Sequence, residues 1–275
     1  HRDLHSFPTR RSSDLLNFNF PLMQADKLTA RHVKQNQAQR LSALPEKAWP
    51  CNTLGNHDVS RVYTAFGDGI NNDAQAKLHL MLLLTLKGTP FLYNGEEIGM
   101  TDLLIRDQQL FRDPLSLLYV DLERRVNGTD EGSAVVVGAK KGRDRNRTPM
   151  QWSNEPNGGF CPPEVTPWLP VNPNYADGVN VNDQVSQPDS MINFYRRMLL
   201  VRKQNPALLV GDYQEIDIDN EELLCFSRKY ANDELLVVLN MSAENRQVVL
   251  PRKVNQILIN TLKNWVHIEI GRAHV

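Results

Sequence analysis

Apolar and polar positions change rhythm along the chain, and the changes mark its elements. Residues 16–23 (LNFNFPLM) alternate and then stop at a proline, the pattern of a short strand. Residues 29–44 have helix-forming composition and end before Pro45. Residues 48–54 form a second strand candidate, and residues 73–86 are the clearest helix, with Asp73 at its start and a dense apolar face. Lys87-Gly88-Thr89 ends that helix, Pro90-Phe91-Leu92-Tyr93 reads as a third strand, and residues 94–99 form a loop. Strand, helix, strand, helix, strand is the grammar of a parallel α/β sheet, which carries its active residues at the carboxyl ends of the strands.

Residues 100–189 hold many of the glycines and prolines and read as one long loop-rich insertion, a kind of segment that usually serves function. A helix follows over residues 188–204, with Ile192, Tyr195, Met198, Leu199 and Arg202 at helical spacing. From Leu208 the period becomes two. Residues 214–218, 222–230, 234–240 and 247–250 read as successive antiparallel strands, with a hairpin turn at Ala231-Asn232-Asp233. This is a small all-β domain after the α/β part.

Composition narrows the class. Of 275 residues, 41% are hydrophobic and 23% charged, as in an ordinary soluble globular protein, and a net charge of -1 offers nothing to nucleic acid or an anionic membrane. Cys51, Cys161 and Cys225 are far apart and odd in number, so they read as reduced thiols rather than a metal site. Asn127-Gly128-Thr129 and Asn240-Met241-Ser242 read as chance matches to the glycosylation pattern. The longest apolar run, residues 78–86, is too short to span a bilayer, and no secretory signal is visible. Residues 1–15 resemble the translation of a sequencing-library adapter and residues 269–275 its partner adapter; both are set aside from the fold.

The candidate chemistry centres on Asn56-His57-Asp58, just beyond the second strand, with Arg61 close behind. An imidazole beside a carboxylate can grip neighbouring hydroxyls and oppose a developing positive charge, which suits sugar chemistry. Alone, the same triplet reads as a capped strand-to-helix turn with Asp58 as N-cap. Arg61 is placed to lower the pKa of Asp58 if the turn folds back. Glycoside hydrolysis by the usual route needs two carboxylates flanking one bond, and the chain shows one well-placed carboxylate without a convincing partner. Glu96 and Glu97 are adjacent, so extended backbone would send them to opposite faces; they read as structural. Arg143-Asp144-Arg145-Asn146-Arg147 is dense in charge and, by itself, reads as a solvated loop paired with nearby acids. Trp152, Phe160 and Trp168 suit either stacking on sugars or core packing.

Four segments together resemble the α-amylase superfamily of glycoside hydrolases, in its α-glucosidase and oligo-1,6-glucosidase branch. They are residues 16–23, 53–61 (TLGNHDVSR), 88–100 (GTPFLYNGEEIGM) and 142–152 (GRDRNRTPMQW), with Asn157-Gly158-Gly159-Phe160 just after. The resemblance implies a (β/α)8 barrel followed by an antiparallel β-sandwich. It assigns residues 16–207 to the C-terminal part of the barrel, about strands six to eight, and residues 208–268 to a truncated sandwich. It makes Asp58 the transition-state-stabilising carboxylate, which grips sugar hydroxyls where the bond breaks and helps distort the ring. It gives His57 to the same hydroxyls, with Asn56 and Arg61 in the substrate-binding turn. It gives an arginine of the 142–152 segment, Arg143 ahead of Arg147, to the blind end of the pocket, paired in the family with an early-barrel aspartate. That partner is missing here, so Arg143 is expected to be unpaired. The family's nucleophile and general acid would precede Leu16.

The reading is thus a fragment of a cytoplasmic retaining α-glucosidase acting on short oligosaccharide or disaccharide α-glucosides from the non-reducing end, inactive alone. No cofactor or metal is expected, nor a nucleic-acid or membrane partner; the sequence does not set the oligomeric state. The alternatives are a glucosyl transferase or isomerase such as a trehalose synthase or sucrose isomerase, and a non-catalytic scaffold or carbohydrate-binding homologue.

Overall fold

The computed structural model describes residues 18–45, 48–218, 220–250, 254–261, 268–269 and 272–274. The chain divides into two compact units: His1–Leu54, Leu78–Phe91 and Met198–Val275 in the first, Gly55–Lys77 and Leu92–Arg197 in the second. The elements in chain order are α1 (Phe20–Met23), α2 (Ala30–Ala43), β1 (Cys51–Thr53), α3 (Val62–Ala65), α4 (Asn72–Thr85), β2 (Thr89–Phe91), α5 (Pro114–Arg125), α6 (Glu131–Lys141), α7 (Val181–Val185), α8 (Met191–Gln204), α9 (Pro206–Val210), β3 (Asp212–Glu215), β4 (Leu223–Tyr230), β5 (Asp233–Asn240), β6 (Gln247–Val248), β7 (Ile268–Glu269) and β8 (Arg272–His274).

In the first unit β1 and β2 pair in parallel, Cys51 opposite Thr89, and Phe18 adds a parallel bridge to Cys51. The expected strand over residues 16–23 is therefore a correction. Among the described residues of this stretch only Phe18 bridges; Phe20–Met23 turns into a helix, with Pro21 in its first turn where a missing N–H costs nothing. Asn19 is buried, not on a wet face. It exchanges amide hydrogen bonds with Asn36 of α2 (2.8 and 2.9 Å) and donates to Asn52 of β1 (3.0 Å), whose own amide donates to the Lys87 carbonyl (3.0 Å). Each of these buried amides would cost about 1–3 kcal/mol if left unpaired.

Helix α2 starts where its sequence says, the Thr29 hydroxyl accepting from the His32 N–H. In α4, Leu80, Met81, Leu82, Leu83 and Leu84 are all buried, so this stretch is enclosed all round rather than amphipathic. Asp73, expected as the cap, lies inside the first turn of α4, which begins one residue earlier at Asn72. Two buried arginines hold carbonyls at the end of α4: Arg202 those of Leu84 and Gly88, Arg228 that of Thr85. Burial lowers the pKa of both, Arg228 to about 10.

The meander β3-β4-β5 is antiparallel, with Tyr213 opposite Arg228 and Leu224 opposite Leu239. The β4–β5 turn is shorter than expected: Tyr230 pairs with Asp233 across Ala231-Asn232, and Ala231 takes φ 53°. Residues 1–15, set aside by the sequence, lie outside the described residues. From the other set-aside segment, Glu269 and Arg272–His274 form short strands, β8 pairing with β6. Ladder bonds are main-chain bonds and carry no test of the sequence that makes them.

The second unit corrects the expected long loop. Residues 100–189 include α5 and α6, which pack together through Phe111, Val120, Ala134, Val135 and Ala139. Asp113 caps α5 through the Leu115 N–H and Asp130 caps α6 through the Ser133 N–H. Helix α8 buries Met191, Phe194, Tyr195, Met198 and Arg202, while Leu199, expected on that stripe, is exposed.

Candidate active site

Asn56, His57, Asp58, Arg61, Arg143 and Arg147 all lie in the second unit. The turn after β1 is built by its own side chains. Asn56 Oδ1 accepts the Asp58 N–H at 2.7 Å, and the Asn56 carbonyl accepts the Asn146 amide at 3.0 Å. Asp58 is not a helix cap; the N-cap of α3 is Arg61. Its carboxylate is 49% exposed, and Oδ1 takes Arg147 Nη2 at 2.7 Å and Arg143 Nη1 at 3.2 Å. His57 Nε2 lies 3.5 Å from Oδ2. Charge-assisted contacts of this kind fix the orientation of a carboxylate.

Arg61 does not serve Asp58. It is almost wholly buried, donates Nη1 to the Asn94 carbonyl at 2.7 Å and lies 4.8 Å over the Tyr93 ring. Burial lowers its pKa, opposed by Tyr93, Asp102, Glu96 and Glu97. It supports the turn from behind, and the cations that meet the Asp58 carboxylate are Arg147 and Arg143 instead.

Arg143 is paired, against expectation. Asp113, whose side chain is wholly buried, accepts Arg143 Nε (2.9 Å) and backbone N–H (2.7 Å) on one oxygen and Nη2 (2.8 Å) on the other. The Arg143 hydrogen bonds hold the Asp113 carboxyl well below the usual carboxylate range, and Asp113 raises Arg143 in return. Arg145 donates Nε to Asp102 Oδ2 at 3.0 Å and lies 3.2–3.3 Å from the Ser60 hydroxyl, while Asp102 Oδ1 accepts the Arg61 N–H at 2.9 Å. The charge run is thus no solvated loop: its three arginines grip the site turn at Asp58, Ser60 and the His57 carbonyl, the last accepting Arg147 Nε at 2.8 Å.

Glu96 and Glu97 lie in one 3-10 turn, Glu96–Ile98, not in the extended backbone expected of them. Glu97 accepts the Gly95 N–H at 2.8 Å. Glu96 is buried and accepts the Tyr93 N–H at 3.3 Å, and its pKa rises to about 7 by desolvation, opposed by Tyr93, Arg61 and Tyr195. Of the aromatics, Phe160 packs on the cluster of Ile98, Met100 and Met150. Trp168 is half exposed, meets Phe160 edge-on at 4.9 Å and donates to the Arg147 carbonyl at 3.1 Å; Trp152 is also half exposed. Sequence reasoning missed Asp113 and Asp102. Asp113 did carry a signal, an Asp-Pro pair at a helix start. Among the described residues no group of three or more His, Cys, Asp and Glu side chains could hold a metal, and no helix is long and apolar enough to cross a membrane.

This geometry has relatives. The alpha amylase catalytic domain family matches residues 9–211. An oligo-1,6-glucosidase of Bacillus cereus is 33% identical over 240 residues, 87% of this chain and 42% of that enzyme. A trehalose-6-phosphate hydrolase of Escherichia coli is 37% identical over 199 residues, 72% of this chain and 35% of its own length. Among solved structures, a trehalulose synthase in complex with Tris superposes with a TM-score of 0.78 at 31% identity, over 90% of this chain and 45% of that one. A trehalose-6-phosphate hydrolase of Bacillus licheniformis gives 0.79 at 29%, over 94% and 49%. The chain therefore spans less than half the length of these relatives. Their fold is the (β/α)8 barrel of the family, and the chain, whose residues 9–211 match the catalytic-domain model, belongs to the α-amylase family of glycoside hydrolases.

Proposed function

We propose that this chain is the Asp58-bearing part of a retaining α-glucosidase that acts on short oligosaccharide or disaccharide α-glucosides from the non-reducing end. In this reading residues 16–207 supply about strands six to eight of the barrel and residues 208–268 a β-sandwich. The observation that carries the function is the half-exposed Asp58 carboxylate, held by Arg143 and Arg147 with His57 beside it. A preorganised anion flanked by an imidazole can take sugar hydroxyls and oppose the oxocarbenium charge, and bonds of that kind strengthen in the transition state. The carboxylates that bind the neighbouring arginines, Asp113 and Asp102, have side chains 0% and 7% exposed, so neither suits a nucleophile or general acid. Those two groups are assigned to the rest of the parent enzyme.

The test is Asp58→Asn in the parent protein, with release of glucose from maltose and isomaltose as readout. The expected result is a loss of turnover by orders of magnitude with the fold intact; unchanged turnover removes Asp58 from the mechanism. The isolated chain is expected to leave a chromogenic α-glucoside uncleaved. A second reading, glucosyl isomerisation, is favoured by the similarity to an isomaltulose synthase in complex with D-glucose and to a trehalulose synthase. Product analysis on sucrose separates the two, since an isomerase returns a disaccharide and a hydrolase returns monosaccharides.

A further inference from the structure

We infer that Asp113 is a positioning residue for the reaction, holding Arg143 so that its one remaining arm meets Asp58. This rests on the reading of Asp58 as the transition-state carboxylate. The geometry is directional. Asp113 uses both carboxylate oxygens on Arg143 and takes its backbone N–H, Nε and Nη2. Nη1 is left, and it is the atom that reaches Asp58 Oδ1. A planar guanidinium held along one edge cannot swing, so the opposite edge is aimed without further ordering.

The residue doing the holding is itself fixed from two sides. Its carboxylate accepts the Leu115 N–H at 3.2 Å as the cap of α5. Its backbone N–H donates at 2.9 Å to Asp144 Oδ2, the residue next to Arg143, and that oxygen also accepts the Arg112 N–H at 2.8 Å. The two segments therefore lock each other reciprocally: the side chain of 113 binds 143, and the side chain of 144 binds the backbone of 112 and 113. Among the described residues Arg147 has no comparable brace; its Nε contact is the His57 carbonyl on the site turn itself. Of the two cations on Asp58, Arg143 is the one referenced to the α5–α6 scaffold rather than to the turn it serves.

Asp113→Asn separates positioning from folding. Asparagine caps a helix as well as aspartate does, so α5 keeps its start. It loses the charge and one of the two acceptor oxygens, so the bidentate grip on Arg143 fails. In the parent enzyme, acting on isomaltose, we expect kcat/KM to fall about ten- to a hundredfold, the range for a hydrogen bond to a charged group. The fall should lie mostly in kcat, measured well below the thermal midpoint, which itself drops with the loss of the buried ion pair. In an Arg143→Ala background the same change should cost nothing more, because its only route to the reaction is gone. Should Asp113→Asn not fold, Asp113→Ser keeps a capping hydroxyl and is read the same way. Unchanged kcat/KM in the single variant, or a loss that adds in full to that of Arg143→Ala, overturns the proposal while Asp58→Asn still abolishes turnover. Full turnover in Asp58→Asn overturns the glucosidase reading, and this proposal with it.

Discussion

Replacing Glu96 by glutamine should change how stability depends on pH, and its direction follows from the structure. Glu96 is buried behind the Asn56–Asp58 turn, with its Oε1 against Gly55. Desolvation raises its pKa from 4.5 to about 7, with the Tyr93 N–H, Arg61 and Tyr195 pulling the other way and Glu97 adding to the rise. Between those two values the unfolded carboxyl has lost its proton while the folded one keeps it. The folded state binds more protons, so stability falls as pH rises through this window. At about 1.4 kcal/mol per pH unit, the full penalty above pH 7 is about 3 kcal/mol. Glutamine has the same shape and stays neutral. It can still accept the Tyr93 N–H, but its amide places donors where Oε1 has no hydrogen-bond partner, an offset of about 1 kcal/mol at every pH. Urea unfolding at pH 4.5 and 8.5, followed by tryptophan fluorescence, isolates the pH term because the offset cancels. The variant should gain about 3 kcal/mol relative to wild type between the two conditions. Parallel stability profiles, with no relative gain, would refute the buried, proton-holding carboxyl.

Three further outcomes follow from single sites. Gly55→Ala should destabilise by about 1–3 kcal/mol, since the new Cβ would fall on Glu96 Oε1; urea midpoints should show a smaller loss in a Glu96→Ala background. His79 is buried and desolvation lowers its pKa from 6.5 to about 4, so it contributes stability that is present above pH 6.5 and lost as pH falls toward 4. His79→Leu should therefore flatten the acid limb of the unfolding profile by about 3 kcal/mol, and an unaltered limb would rule this out. Leu82→Ala removes a fully buried side chain from α4 and should cost about 2–5 kcal/mol in denaturant unfolding.

Local signals in the sequence transferred well, and those that depend on what a residue meets did not. Thr29 starts α2, the segments read as strands at 222–230 and 234–240 become β4 and β5, and the family that segments 53–61 and 142–152 resemble is the one whose model matches residues 9–211. Helices α5 and α6 were hidden because their chemistry inverts the usual code. On α5 the leucines at 115, 117, 118 and 122 are exposed while Ser116 is buried, so no clean apolar stripe points inward. On α6, Gly138 looks like a loop marker but is a packing device: a Cβ there would lie 2.5 Å from Val120 Cγ2 and 2.6 Å from the Ser116 carbonyl. A glycine that costs about 1 kcal/mol of helix propensity is retained where it lets two helices touch.

The same distinction explains the arginines. Arg61 and Arg147 are equally plausible partners for Asp58 by charge, and proximity in sequence favours Arg61. Arg61 is drawn instead to the Asn94 carbonyl and the Tyr93 ring, because the turn points its side chain inward and a guanidinium can satisfy carbonyls in a tight space. Arg147 arrives from 89 residues away with its side chain still partly in water, where it can meet a half-exposed carboxylate without a large desolvation cost. Arg143 needed a buried acid to be held there at all, and Asp113 supplies it. The division of labour among like charges is set by burial, which periodicity and spacing do not encode at a turn. The cap that locates Asp113 is local, however, and Asp-Pro followed by a glycine-bearing helix and an Arg-Asp pair is a pattern that sequence can be searched for.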